Sequence, residues 1–338
     1  MTDQAPPQAD SRGVPVGQIV KLSALALVVG LVAGAGASAF VAVQHDLTHW
    51  VWHELPSLIG FAEAPWWMVL LLPVIGGVLT YATFRLPGHG GHGPLDGFSL
   101  NIGPAEIVSA VLAALASLVF GAVLGPEAPL MAVGTALGAL AVRKNQPAAR
   151  QIMMIVGAMA AMGALFGSPL ITSILLLEVA LAAGATLARP TILLPSLVGL
   201  ASGYLIQVGV AGWPGLGTMQ MAVPGLAAYP SVRLIDLAVA VPLAILVTLL
   251  AIGARLGALR IAGLAKRSPL ATIAGAGVVT GLAAVAVMLL TGGSYDLVLY
   301  SGQAAMPDYL AFTDLGMALT VLVAKFVAYT ACLGGGFR

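Results

Sequence analysis

The chain has 338 residues, of which 59% are hydrophobic and 8% charged, with a mean hydropathy of +1.01 and a net charge of +1. Soluble globular chains carry about 25% charged residues, so water cannot solvate most of this surface, and a soluble fold is excluded. The near-neutral balance excludes a general attraction to nucleic acid, and the single cysteine, Cys332, excludes an internal disulfide framework.

Residues 1–18, MTDQAPPQADSRGVPVGQ, are polar and proline-rich and lack the charged-then-apolar layout of a signal peptide. They predict a disordered cytoplasmic tail. After them, apolar segments fall at 19–44, 64–84, 104–122, 126–142, 151–165, 168–188, 191–211, 233–256, 269–291 and 310–333. A bilayer core of ~30 Å needs about 20 helical residues, so the longer segments predict spanning helices. Others are too short to cross alone and are punctuated at Gly125-Pro126, Gly167-Ser168-Pro169 and Gly334-Gly335-Gly336. The backbone groups freed at such breaks need protein or a water-filled cavity as partner, so broken helices point to a buried ligand site. The expected class is an all-α polytopic membrane protein.

Within the 45–63 connection, His45, His49 and His53 share one face if that stretch is helical. Trp50, Trp52, Trp66 and Trp67 suit an interfacial aromatic belt, which favours an interfacial role for these histidines over metal ligation. Next comes RLPGHGGHGPLDG, Arg85 to Gly97, with four glycines and a proline within residues 88–94. Such a loop lets N–H groups converge into an anion-binding concavity. His89 and His92 lie in it without a third ligand, and no metal site is expected.

From Pro104 to Val142 the chain carries only two ionisable side chains, Glu106 and Glu127. A carboxylate at bilayer depth is costly and by default functional. Gly125-Pro126 breaks the chain, and Pro129 falls in the first turn of the helix that follows, where a missing N–H is harmless. Glu127 therefore stands at a helix N-terminus, where unpaired N–H groups attract anions. A carboxylate tethered there competes with a diffusing anion, and a proton would relieve the competition. The other reading is a capping glutamate paired with an arginine elsewhere.

Further on, Arg143, Lys144 and Arg150 form one basic loop and Arg255, Arg260, Lys266 and Arg267 another; both are expected at the cytoplasmic face. Ser168-Pro169 starts a further helix with Glu178 near its far end, a carboxylate that either snorkels to the inner interface or pairs with Arg189, or else has a functional role. An intramembrane serine hydrolase built on Ser168 would need a base within hydrogen-bonding reach, yet all five histidines lie between positions 45 and 92.

Together these motifs resemble the CLC family of chloride channels and proton-coupled chloride transporters. Gly125-Pro126-Glu127-Ala128-Pro129 resembles the family's Gly-Arg-Glu-Gly-Pro loop, whose glutamate is the gate, and Gly91-His92-Gly93-Pro94 resembles its Gly-Ser-Gly-Ile-Pro loop, shortened by one residue. Gly167-Ser168-Pro169-Leu170 resembles the Asn-Ala-Pro-Leu stretch that leads to paired glutamates, and the likeness continues through Gly292–Asp296 and Lys325 to Gly336. Three positions depart from the pattern. The arginine before the gate is Pro126, the anion-coordinating serine is His92, and the second of the paired glutamates aligns with Val179. The last departure is shared by channel members.

The resemblance implies a bundle of two inverted repeats, 19–211 and 233–338, assembled as a homodimer in the cell membrane with the N-terminus cytoplasmic. It implies no enzyme activity and no cofactor. It assigns Glu127 as gate, Gly91, His92, Gly93, Pro126, Glu127 and Ala128 to the anion, and Glu178 as candidate proton relay. The expected function is passive chloride conduction, with a proton/chloride antiporter as alternative. The family's second anion loop is expected to begin just after Arg338, so the sequence is expected to be a fragment that does not form a complete pore by itself.

Overall fold

The computed structural model describes residues 16–96, 106–182, 189–210, 231 and 233–338. In chain order the helices are α1 (Val16–His49), α2 (Leu55–Leu58), α3 (Trp66–Thr83), α4 (Ile107–Leu118), α5 (Glu127–Leu140), α6 (Pro147–Phe166), α7 (Pro169–Ala182) and α8 (Pro190–Val210). They continue with α9 (Leu234–Ala265), α10 (Pro269–Thr291), α11 (Met306–Leu310) and α12 (Leu315–Gly335). No strand occurs among the described residues. Seven helical stretches are long and apolar enough to cross a membrane, while α4, α5 and the Pro169–Glu178 stretch of α7 are shorter apolar helices. The expected all-helical class with broken helices is what forms.

Boundaries follow from punctuation. Pro147, Pro190 and Pro269 open their helices, where a proline forfeits no intrahelical bond. Gly167, Gly292 and Gly336 close theirs with positive φ. The Asp314 carboxylate accepts the Met317 N–H at 2.7 Å and caps α12.

The largest difference from expectation lies at 45–63. Helix α1 does not stop at residue 44 but runs through His49 and a π turn, Trp50–Glu54, into α2. That turn drives Trp52 inward. Its side chain is fully buried, Nε1 donates to the Val119 carbonyl at 2.8 Å, and its ring packs on Tyr295 and Tyr300. Trp52 is therefore a core residue rather than part of an interfacial belt, because a local helix defect re-aimed it; Trp50 and Trp66 remain exposed at 47% and 60%. His49 and His53 do stack, ring centroids 5.1 Å apart, and His49 Nδ1 lies 3.6 Å from Glu54. Val16, Gly17 and Gln18, expected in the tail, already belong to α1, while residues 1–15 lie outside the described residues.

Packing sorts the helices into two groups. Helices α1, α5, α6 and α8 pack together, and so do α3, α9, α10 and α12; α4 joins them by touching α3 and α5. Helix α3 thus pairs with α10 from the far half of the sequence. The close approaches run through small residues, as expected where lipid offers no hydrophobic drive. A Cβ on Gly34 would lie 2.8 Å from the Cα of Gly203, and one on Gly277 2.8 Å from the Cα of Val74. Helix α9 leaves almost its whole apolar length exposed, a surface suited to lipid.

The relative direction of the helices fixes two faces. Leu22 near the start of α1 shares a cluster with Val142 and Met153, so the 143–150 loop lies at the α1 N-terminal end. Helix α10 ends beside Tyr295, which touches Trp52; its start, next to the second basic loop, lies about 35 Å away at the opposite face. Both basic clusters therefore share one face, and 50–63 with 292–310 form the other.

Candidate functional site

Two turns meet at the centre. Helix α4 climbs to the Trp52 level, and the chain then folds back through 121–126 before α5 begins. Cys332 on α12 pins this return: its sulfur accepts the Val123 N–H at 3.4 Å and lies 3.2 Å from the Thr280 hydroxyl of α10. Pro126 is buried at the α5 N-cap and Glu127 is the first helical residue, as its sequence context predicts. The Glu127 carboxylate folds back against Gly125, filling the space a side chain at 125 would need, and accepts its own main-chain N–H. Helical geometry leaves the Ala128 N–H without an intrahelical acceptor at the same spot.

Glu127 separates two cavities. One, of about 890 Å³, extends toward the face of 292–310 and is lined in part by Ser301, Tyr309, Phe312, Lys325 and Tyr329. The other, of about 470 Å³, is lined in part by Gly91, His92, Gly93, Ala128, Phe166 and Arg338. Leu124, Gly125, Glu127 and Tyr329 line both. The two sequence loops, 88–94 and 125–129, are thus brought to one cavity although they lie far apart in the sequence.

One detail of the first loop differs from expectation. The Gly91 N–H donates to the Gly88 carbonyl at 2.9 Å, and the Gly93 N–H donates to the Asp96 carboxylate at 2.6 Å. These amides are spent inside the loop and do not converge on the cavity. Asp96, three residues beyond Gly93, was the signal for this capture. What the loop turns to the cavity is the His92 side chain, whose buried Nδ1 has no hydrogen-bond partner among the described residues.

Glu178 stands elsewhere. It is exposed on α7 and lines neither cavity. The side chain of Val179 lies outside the described residues. Ser168 caps α7, its hydroxyl oxygen accepting the Ile171 N–H at 3.4 Å, the role of an N-cap rather than of a nucleophile. Among the described residues no group of three or more metal-ligating side chains gathers.

Three site residues escaped the sequence reading. Lys325 and Tyr329 are spaced i, i+4, so one face of α12 carries both into the larger cavity. Lys325 Nζ donates to the carbonyls of Val298, Leu299 and Tyr300 at 3.2, 3.4 and 3.4 Å. Arg338 reaches the smaller cavity after the Gly336 turn, its main-chain N–H bonded to the Ser117 hydroxyl at 3.0 Å. At the mouth of the larger cavity, burial pushes the Tyr309 hydroxyl up to about 12, and this group donates to the Leu297 carbonyl at 2.9 Å. Burial likewise raises the Asp296 carboxyl, against the lowering pull of the Ser294 hydroxyl, His53 and Lys325.

A model of the voltage gated chloride channel family matches residues 88–338, which include both turns and Arg338. The chain belongs to this family, the CLC family. Among curated proteins, YfeO of Salmonella newport (strain SL254) is 31% identical over 153 residues, and YfeO of Salmonella paratyphi A is 30% identical over the same length; their names provisionally call them ion-transport proteins. The matched stretch spans 44% of this chain and 37% of those relatives. Of solved structures, a slow cyanobacterial Cl−/H+ antiporter superposes with a TM-score of 0.73, covering 94% of this chain and 74% of its own, at 17% identity. A CLC-type fluoride/proton antiporter superposes at 0.60, covering 96% and 78%, at 16% identity. At such identities the likeness is one of fold, and it agrees with the CLC-like helical bundle and with an integral membrane protein.

Proposed function

We propose that the chain forms the gated part of a pathway along which chloride or another small anion crosses the bilayer by passive conduction, and that Glu127 closes it. The observation that carries this is the position of Glu127, the one carboxylate lining both cavities among the described residues, folded onto the amide end of α5. The larger cavity extends toward the face of 292–310, and Glu127 lies where the two cavities meet, so in this reading a solute passing between them goes by this side chain. A carboxylate there occupies the partial positive charge that an anion needs once its water shell is lost. Protonating it, or swinging it aside, frees that site. Gly91, His92, Gly93, Pro126 and Ala128 then form the walls around the anion, with His92 rather than the loop amides as the donor from the first turn.

The face with both basic clusters is assigned to the cytoplasm by the excess of Lys and Arg, which places the start of α1 there too, in a cell membrane. The exposed apolar length of α9 suits lipid and a second copy of the chain, consistent with a homodimer of inverted-repeat subunits divided as 19–211 and 233–338. No catalytic role enters this reading.

A proton/anion antiporter is the second reading, supported by the titles of the two solved structures named above, each a proton antiporter. It needs an inner proton donor, and Glu178, exposed on α7 and outside both cavities, gives that role no support. Reversal potentials in bilayers holding the protein separate the two. Passive conduction requires a potential that follows the chloride gradient alone; a shift under a pH gradient at constant chloride means coupling.

A further inference from the structure

Glu127 follows directly on the return that joins α4 to α5, so the place of that return decides where the first turn of α5 begins. Residues 121–124 are buried without belonging to a helix. Two main-chain groups of the return are met by side chains from distant parts of the chain. Trp52 Nε1 donates to the Val119 carbonyl at 2.8 Å, and the Val123 N–H donates to the Cys332 sulfur at 3.4 Å. Buried main-chain groups in an irregular segment need such partners, so the two bonds fix the path of the return.

Both anchors are themselves held. The π turn aims Trp52 into the core, where its ring packs at 4.9 Å on Tyr295 and 5.8 Å on Tyr300. Such turns recur at functional sites. Cys332 is fully buried, with the Thr280 hydroxyl of α10 3.2 Å from its sulfur. Between the two bonds the backbone passes through Gly121 at φ +89°, where an added Cβ would lie 3.1 Å from both Trp52 and Leu299. That close approach leaves the return little freedom on the Trp52 side. Neither Trp52 nor Cys332 lines the larger or the smaller cavity, so they act on transport only through what they hold.

We propose that Trp52 and Cys332 are positioning residues for the gate: by holding the return at Val119 and Val123, they set the start of α5 and with it the fold-back of the Glu127 carboxylate on Gly125. This rests on the reading of Glu127 as the gate. The physical link is short. Only Leu124, Gly125 and Pro126 separate Val123 from Glu127, so a shift of the return carries the start of α5 with it. The carboxylate fills the space beside Gly125, and a change in the angle between return and helix alters the surroundings that hold its charged form. A looser setting holds that form less well, so less acid opens the pathway.

Chloride efflux from liposomes bearing the full chain, followed as a function of pH, tests this in the wild type, Trp52→Phe and Cys332→Ala, each with and without Glu127→Gln. Trp52→Phe withdraws the donor from Val119, and Cys332→Ala withdraws the acceptor from Val123. Each should move the midpoint of acid activation to higher pH by at least about half a unit. In the Glu127→Gln background each should leave the efflux rate within about twofold, because the group they position no longer titrates. A merely structural role lowers the rate in both backgrounds and leaves the midpoint where it was. An unmoved midpoint in a variant that elutes as the wild type does, or an equal loss of rate in both backgrounds, would overturn the proposal. So would failure of both variants to fold, which would make the two contacts structural alone; if one folds, it carries the test. Should Glu127→Gln by itself keep steep acid activation, the gate reading fails instead, a result that the Trp52 and Cys332 variants do not produce.

Discussion

Replacing Glu127 by glutamine keeps the size and shape of the side chain and removes its charge. Its carboxylate occupies the α5 N-terminus, against Gly125, which on the proposed pathway is where a passing anion would enter. Two unit charges about 4 Å apart at an effective dielectric of ~20 repel by about 4 kcal/mol. The helix N-terminus attracts an entering anion in either protein, so it does not reduce this difference. With the side chain in place, a relief of about 4 kcal/mol corresponds to roughly a 1,000-fold rise in anion entry. Chloride efflux from liposomes at equal pH on both sides measures it. The wild-type protein should speed up as the pH falls and Glu127 takes a proton. Glu127→Gln should be fast at about pH 7 and nearly flat with pH. A variant with wild-type rates and the same steep acid activation would refute the placement of the gate at this residue.

Three other substitutions probe the frame around it. Trp52→Phe removes the Nε1 bond to the Val119 carbonyl in a fully buried setting; an orphaned acceptor costs about 1–3 kcal/mol, visible as a lower melting temperature in detergent. Lys325→Met withdraws the donor shared by three carbonyls and the positive charge of the larger cavity. Anion flux should fall about tenfold at low ionic strength, and the gap should narrow in high salt, as expected for steering by charge. Asp296→Asn addresses a carboxyl that burial raises. Between the ordinary carboxylate range and the raised value, the folded protein holds a proton that the unfolded chain releases, so stability falls as pH rises through that window. The asparagine variant should therefore melt above the wild type at about pH 7 and level with it near pH ~3; the opposite order would mean the charge is stabilising.

Much of the site was legible because the sequence uses charge so sparingly. Glu127 stood out as a carboxylate in an apolar reach, and Gly125, Pro126 and Pro129 around it already implied a helix beginning inside the membrane. The glycines of 88–94 marked a turn, though Asp96 captures an amide that composition alone left free. Lys325 and Tyr329 carry no local signal beyond helical spacing, since any face of α12 could have turned inward. Arg338 was read only as the residue before the family's second anion loop, and its place in the smaller cavity follows from the chain after α12 returning to the level of α4.

Composition and hydropathy by themselves determined a helical membrane protein, its approximate spans and an acid at a helix start within an apolar reach, because burying an unpaired charge or an open backbone in lipid costs too much to happen without cause. Tertiary structure decided the rest. It paired α3 with α10 across the sequence, turned Trp52 into the core through one π turn, and set His92, Glu127 and Arg338 around a shared space. Those outcomes depend on how closely particular helices approach, which is governed by side-chain volume summed over both partners and is written in neither segment alone.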